Sequence, residues 1–441
     1  RLSTFLKDST NTGSSPALPC PCHLEYPAVR AMLKTSASWR TNPRRWPMST
    51  DLNLAIQPND RLKEFNFEAH NFEVAELWKS FEAGRPFRTP CILGLNARYF
   101  IASELANPEG VDFHSYTENP DVMFDFQLRF MRWSKFNLLQ DAELGLPSKW
   151  LLYVDFQNYS ESAWYGCPIQ YFDGQVPDTR PVFADCPEKV MEKGIPDPFG
   201  GIYAKGKDYF ERFKERAGKE DFLGRPIEVA CPFIGSDGVM TIACNLFGPE
   251  FVCTAMANEP ERIQRLFAFI NESTIQRIRA WRKYHGLPEK QENCMQADDS
   301  IALISSSMYR DQILPHHRKF YASIAEDRGR GIHLCGNATR HFKTLHDELG
   351  IMVFDTGFPV DFGWLRQQLG PQVRIYGGPH AELLRSAAPE QVREESRRIL
   401  TSGVLEGGLF VLREGNNLAP GTPLENIEAL YSSARECGIG G

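Results

Sequence analysis

Residues 331–355 read GIHLCGNATRHFKTLHDELGIMVFD, and this stretch decides the fold class. A short apolar run, 331–335, ends in polar residues. A segment with apolar positions at helical spacing, 339–349, follows it. A second apolar run, 351–354, then stops at Asp355. Strand, amphipathic helix and strand in that order predict a parallel βαβ unit. The same rhythm extends outward on both sides. Upstream lie apolar runs at 91–95, 150–154, 229–234 and 294–297, and downstream at 373–376 and 408–412. Further amphipathic segments occupy 260–281, 307–325 and 389–400. Eight strand-like runs predict an α/β fold of the (β/α)8 TIM-barrel type.

The stretch between the second and third runs is longer than one crossover helix needs. It holds Tyr159, Trp164, Tyr165, Tyr171 and Phe172, then a charged helix near 205–219. It reads as an elaborated loop over the barrel mouth after the second strand, not a separate domain. No internal repeat or low-complexity tract interrupts residues 48–441.

Residues 1–47 differ from the rest. They are rich in Ser, Thr and Pro, with seven basic residues against only Asp8 and Glu25. They read as a disordered tail or translated upstream sequence, with an organelle transit peptide as the alternative. Cys20-Pro21-Cys22-His23 has no second pair nearby and is a weak metal signal. The barrel is expected from Met48 to residue 441.

Of the 441 residues, 42% are hydrophobic and 24% charged, values that exclude collagen, coiled coil and whole-chain disorder. With 49 basic and 56 acidic residues the net charge is −7, so general nucleic-acid binding is not expected. The longest apolar runs fall well short of the roughly 20 residues a membrane-spanning helix needs, and no membrane partner is expected. The 11 cysteines are scattered and odd in number, and Cys91, Cys231 and Cys294 lie inside strand-like runs. That usage points to free thiols and a cytoplasmic location.

In a (β/α)8 barrel the chemistry gathers where strands end. Here the run ends carry Asn96 and Arg98, Asp155, Ser236 and Asp237, Asp298 and Asp299, His333 and Cys335, Asp355, His380, and Glu414 with Asn416. Any one of these could simply cap the next helix. His333 and Cys335 stand at i and i+2, so on a strand they project to one face. An imidazole and a thiolate so placed suit zinc, although a catalytic zinc wants a third protein ligand. The plain alternative is a satisfied histidine beside a buried thiol.

His333-Leu334-Cys335-Gly336-Asn337, Asp355, the turn Tyr376-Gly377-Gly378-Pro379-His380 and the closing stretch 415–426 together resemble the uroporphyrinogen decarboxylase superfamily. That superfamily includes the corrinoid:coenzyme M methyltransferases. The likeness is strongest over 229–437, thinner over 88–190, and implies a (β/α)8 barrel. In the methyltransferase branch a His-x-Cys strand end and a later Gly-Cys hold a zinc that activates a thiol. This chain matches the first at His333 and Cys335 and has Gly415-Asn416 at the second. Asp298, Asp299, Glu414 and His380 are the candidates for the missing ligand.

The decarboxylase branch has no His-x-Cys, and carries an Arg-Gln-Ala-Gly-Arg-Tyr loop, a central aspartate and a C-terminal histidine. Here the loop reads Leu95-Asn96-Ala97-Arg98-Tyr99, Asp155 resembles the aspartate, Asp299-Ser300 resembles a family Asp-Ser pair, and Asn416 stands at the histidine position.

The His-x-Cys tilts the expectation to zinc-assisted methyl transfer between a corrinoid and a thiol, with a methyl-corrinoid protein as partner. His333 and Cys335 would hold the metal. Asp155, Arg98 and Asp299 would be catalytic, with Arg98 and Asp155 orienting charged groups of the substrate. Tyr99, Asn245, His380 and Asn416 are weaker substrate-binding candidates. The alternatives are decarboxylation of uroporphyrinogen acetate groups, with tetrapyrrole as ligand, and a non-catalytic tetrapyrrole-binding barrel. A homodimer is left open.

Overall fold

The computed structural model describes residues 55–438. The readings of residues 1–47, of Cys20-Pro21-Cys22-His23 and of a start at Met48 fall outside them. In chain order the strands are β1 (Trp150–Leu152), β2 (Ile169–Phe172), β3 (Gln175–Thr179), β4 (Asp221–Phe222) and β5 (Arg225–Val229). They continue with β6 (Met295–Ala297), β7 (Gly331–Leu334), β8 (Val353–Thr356), β9 (Arg374–Gly377) and β10 (Phe410–Leu412).

The main sheet runs β10-β9-β8-β7-β6, every neighbouring pair parallel and adjacent in sequence. Parallel strands need crossovers, and helices supply them: Leu314–Ile324 precedes β7, Thr339–Leu349 joins β7 to β8, and Phe362–Leu369 joins β8 to β9. With helices outside and side chains within, both faces are covered, and every residue of β7 and β8 is buried. The first run extends this sheet at the β10 edge. Cys91 forms a parallel bridge with Leu412, and Ile92 N–H donates to the Leu412 carbonyl at 3.0 Å. β1 pairs parallel with β5, and Ala297 N–H donates to the Ser236 carbonyl, linking the segment after β5 to β6. The sequential order and single direction are those of a (β/α)8 barrel.

Two of the expected strands differ from their runs, each for a local reason. Of residues 91–95 only Cys91 is bridged to a strand, on the β10 side, and side chains take the donors that point the other way. Cys91 N–H goes to Asp141 Oδ2 at 2.7 Å and Leu93 N–H to Gln140 Oε1 at 3.1 Å. The third strand lies at Arg225–Val229 and not at 229–234, so Cys231 is outside it. Pro232 lacks the N–H a ladder needs, and Phe233 sits at φ 62°. The helix expected over 307–325 is broken into a turn at Ser306–Met308, a π-helical turn at Tyr309–Ile313 and a helix at Leu314–Ile324, whose Pro315 suits only a first turn.

The segment between β1 and β5 is the expected elaboration. It contains the β2–β3 hairpin, the helix Ile202–Ala217 and β4, which pairs antiparallel with β5. Tyr203 packs against both Phe233 and Trp281, and Trp281 Nε1–H donates to the Pro198 carbonyl, whereas Phe172 of the hairpin is exposed. Trp281 belongs to the helix Pro260–Tyr284, which buries Ile263, Leu266, Phe267, Ile270 and Ile278 at helical spacing. The insert therefore shares one core with the sheet. Among the described residues no single helix is long and apolar enough to cross a membrane, and all nine cysteines are free.

Candidate functional site

The parallel register of β6, β7 and β8 assembles the site. Ala297 pairs with His333, and His333 pairs with Asp355, so the two ionisable side chains stand abreast on one face. His333 Nδ1–H donates to Asp355 Oδ2 at 2.8 Å, and Nε2 lies 3.1 Å from Cys335 Sγ. Two residues beyond β6, Asp299 reaches across to the end of β7. Its Oδ1 accepts Cys335 N–H at 2.6 Å and its Oδ2 accepts the Cys335 thiol at 2.9 Å. Donor atoms of Asp299, His333 and Cys335 all lie within 4.8 Å of one another. Cys335 and Asp299 are half-buried, and His333 is buried.

The charges interlock. Burial alone would lower the His333 pKa, yet the Cys335 sulfur and the Asp355 carboxylate outweigh it and raise it well above the usual value. Burial pushes the Cys335 thiol up against the pull of His333, and Asp299 adds to the rise. Asp237, after β5, is pushed up to about 6 by burial and then by the Asp299 charge, while Arg277, Arg98 and His333 pull the other way. Its backbone is fixed from behind. Glu161 accepts Asp237 N–H at 2.6 Å and pairs with the buried Arg277, which also donates to the Phe233 and Gly235 carbonyls.

A second network surrounds Asp155, just past β1. Tyr116 O–H donates to Oδ2 at 3.0 Å, Gln157 Nε2 to Oδ2 at 2.9 Å, and Gln157 N–H to Oδ1 at 2.9 Å. Gln157 Oε1 in turn accepts Arg98 Nε–H at 2.8 Å. Gln157 sits at φ 53°, an unfavourable conformation for a residue with a side chain. The structure thus joins Arg98 and Asp155 through Gln157. A pyrrole N–H at Asp155 would compete with three donors already there.

The four candidate third ligands separate cleanly. Asp299 is in the cluster. Asp298, fully buried, accepts Met240 N–H, Thr241 N–H and Thr241 Oγ1–H at the start of the helix Val239–Phe247, and binds His317 Nε2 at 2.8 Å. Glu414 accepts Gly94 N–H at 2.6 Å. His380 is exposed, and its Nδ1 accepts Glu382 N–H as the N-cap of the helix Ala381–Ser386.

Of the substrate-binding candidates, Tyr99 is buried among Phe100 and Trp133, with its hydroxyl toward the Thr422 carbonyl at 3.5 Å. Asn245 is on the helix Val239–Phe247, half-buried. Asn416 sits at φ 89°, where Asn is tolerated better than Cys, and its carbonyl accepts from Arg413. Sequence reasoning did not assign roles to Asp355 and Arg413. Arg413 Nη1 donates to both Asp355 oxygens at 3.1 Å, and its Nη2 lies 3.4 Å from Glu414 Oε1. Asp355 carried two signals, its place at the end of an apolar run and its part in the family resemblance, but no partner. Arg413 carried none.

Glu414 is fully buried, its Oε2 has no hydrogen-bond partner, and burial raises its pKa to about 7 against the pull of Arg413. The folded chain keeps this proton up to about pH 7, whereas the unfolded chain releases it near the ordinary carboxylate value. Folding therefore takes up a proton in this window, and Glu414 costs stability as pH rises through it. Glu414→Gln should gain on the wild type by on the order of 2–3 kcal/mol between pH 4 and pH 8. Urea titrations of both proteins across that range check it, and a difference that stays flat with pH would contradict it.

Known proteins frame this geometry. Residues 161–437, more than half the chain, match the family model "Uroporphyrinogen decarboxylase (URO-D)". A methylated-thiol–coenzyme M methyltransferase of Methanosarcina mazei is 28% identical over 142 residues, 32% of this chain and 36% of that protein. The match thus spans only about a third of the relative's length. A solved methyltransferase structure from Methanosarcina mazei superposes with a TM-score of 0.56 at 18% identity, covering 81% of this chain and 96% of that one, and shows a shared fold. The chain belongs to the uroporphyrinogen decarboxylase family.

Proposed function

We propose that this chain is a methyltransferase that moves a methyl group between a corrinoid, carried on a partner protein, and a thiol, using zinc held by His333, Cys335 and Asp299. The observation that carries the reading is the convergence of an imidazole nitrogen, a thiol sulfur and a carboxylate oxygen within 4.8 Å. One nitrogen, one sulfur and one oxygen are a donor set that zinc accepts, and three protein ligands leave a position open. The match to a methylated-thiol–coenzyme M methyltransferase supports the reaction class.

Zinc bound there would lower the pKa of a substrate thiol, making it a thiolate at neutral pH. The chain's residues do the rest. Asp355 accepts the Nδ1–H of His333, which leaves Nε2 directed at the cluster. Asp299 supplies the second anion beside Cys335, where the methyltransferase pattern has a second cysteine and this chain has Asn416. Gln157 holds Arg98, whose guanidinium orients charged groups of the substrate. Residues 48–441 act as one catalytic barrel in this reading, in the cytoplasm.

Purified protein should hold about one zinc per chain, and Cys335→Ser should lose most of it, because a hydroxyl does not replace soft sulfur. Asp299→Ala should weaken binding at least 10-fold, an estimate from the usual effect of removing metal-site groups. Zinc content unchanged in Cys335→Ser would remove the basis of the proposal. Metal-free protein that converts uroporphyrinogen, and loses this in Asp155→Ala, would establish the decarboxylase alternative. Tetrapyrrole binding with neither metal nor turnover would mark a binding barrel.

A further inference from the structure

We infer that Arg413 is a positioning residue for the metal centre, acting through Asp355 to hold His333 in its ligating orientation; the inference rests on the zinc reading above. Arg413 follows β10, two strands away from β8, and is 1% exposed, as is Asp355. Its side chain must therefore pass the exit of β9. That strand ends in Gly377, and Gly378 follows it; neither brings a side chain to the seam. A Cβ at Gly378 would overlap the Arg413 carbonyl, so the two backbones run in close approach. Arg413 N–H also donates to the Gly377 carbonyl at 3.0 Å, fixing the base of the side chain.

The guanidinium then binds on two sides. Nη1 donates to both oxygens of Asp355, and Nη2 to the carbonyl of Asn416. Arg413 fixes the direction of the Asp355 carboxylate, so its Oδ2 accepts the His333 Nδ1–H and leaves Nε2 as the metal-facing nitrogen. The same group anchors the backbone of Asn416, where the methyltransferase pattern has its second cysteine. One guanidinium thus ties His333 to the loop that carries Gly415 and Asn416.

The test is competitive zinc titration of the wild type, Arg413→Met, Arg413→Lys and the double variant Arg413→Met/Asp355→Asn. Cobalt-loaded spectra and thermal melts of the metal-free proteins accompany it. Arg413→Met should bind zinc about 10–100-fold more weakly. Arg413→Lys should recover part of that, since it restores the charge without the planar fork. The thiolate-to-cobalt absorption should persist in all variants, because Cys335 still binds and the loss falls on the histidine side. The double variant removes both buried charges, so it remains foldable if Arg413→Met does not, and it should show the same 10–100-fold loss. Wild-type zinc affinity in Arg413→Met, or in the double variant where the single one does not fold, overturns the inference while leaving the zinc reading intact. Loss of the cobalt–thiolate absorption together with the affinity would overturn it too, as a general collapse of the site. A wild type that binds no zinc overturns the zinc reading and this inference with it.

Discussion

Glu161→Ala should lower the free energy of unfolding by about 3–5 kcal/mol, because it leaves Arg277 charged and unpaired in the core. Arg277 is 1% exposed and Glu161 5% exposed, so solvent does little to soften the loss. Typical domains are stable by only about 5–15 kcal/mol, which makes this a large fraction of the total. The carboxylate does two things at once. One oxygen pairs with Arg277 and the other accepts the Asp237 backbone N–H, so its removal also frees the segment after β5. Denaturant unfolding of Glu161→Ala measures the cost. The double variant Glu161→Leu/Arg277→Met should recover most of it, since replacing a whole buried pair with apolar side chains is often neutral or better. A Glu161→Ala protein within about 1 kcal/mol of the wild type would show that the pair is solvated, contrary to its burial.

Gly357→Ala should cost about 3 kcal/mol, at the upper end of overpacking effects, and should also disturb the candidate metal centre. Gly357 directly follows β8, and its φ lies outside the left-handed region, so the reason for glycine there is space. An added Cβ would overlap the carbonyl group of Cys335 and come within 2.6 Å of the Cys335 Cα. Those atoms are backbone and cannot rotate away, and Gly357 N–H is itself bonded to the Leu334 carbonyl at 2.7 Å. Relief therefore requires the ends of β7 and β8 to separate, which moves Cys335 relative to His333 and Asp299. Thermal unfolding and zinc titration of the same preparation check both halves. A normal melting temperature with normal zinc affinity would show that the two strand ends part at little cost.

The sequence by itself determined the architecture. Apolar runs such as 331–335 and 351–354, alternating with amphipathic segments such as 339–349, carry their period in the chain, so strand, helix and parallel order were legible without coordinates. The helix at Thr339–Leu349 and the one at Pro389–Leu400 lie where the pattern placed them. The pairing of His333 with Cys335 was legible for the same reason, since both positions belong to one strand end. Strand limits were less legible at 91–95 and 229–234, where Asp141, Gln140 and Pro232 decide how backbone donors are used. Asp299 stood out through its Asp299-Ser300 pair and as one of four candidates for the third ligand. Neither signal says that it, and not its neighbour Asp298, faces the sulfur; Asp298 turns to His317 and the helix Val239–Phe247. The same holds for Arg413, whose partner Asp355 is 58 residues away in the chain, and for Gln157, whose role depends on Arg98 arriving from the short helix Ala97–Ile101 after the first run. Register between strands, and the direction a side chain takes at a strand end, are set by contacts between distant segments. Those contacts exist only once the sheet has formed, so the tertiary structure alone decided which acid faces the sulfur and which cation holds the acid behind the histidine.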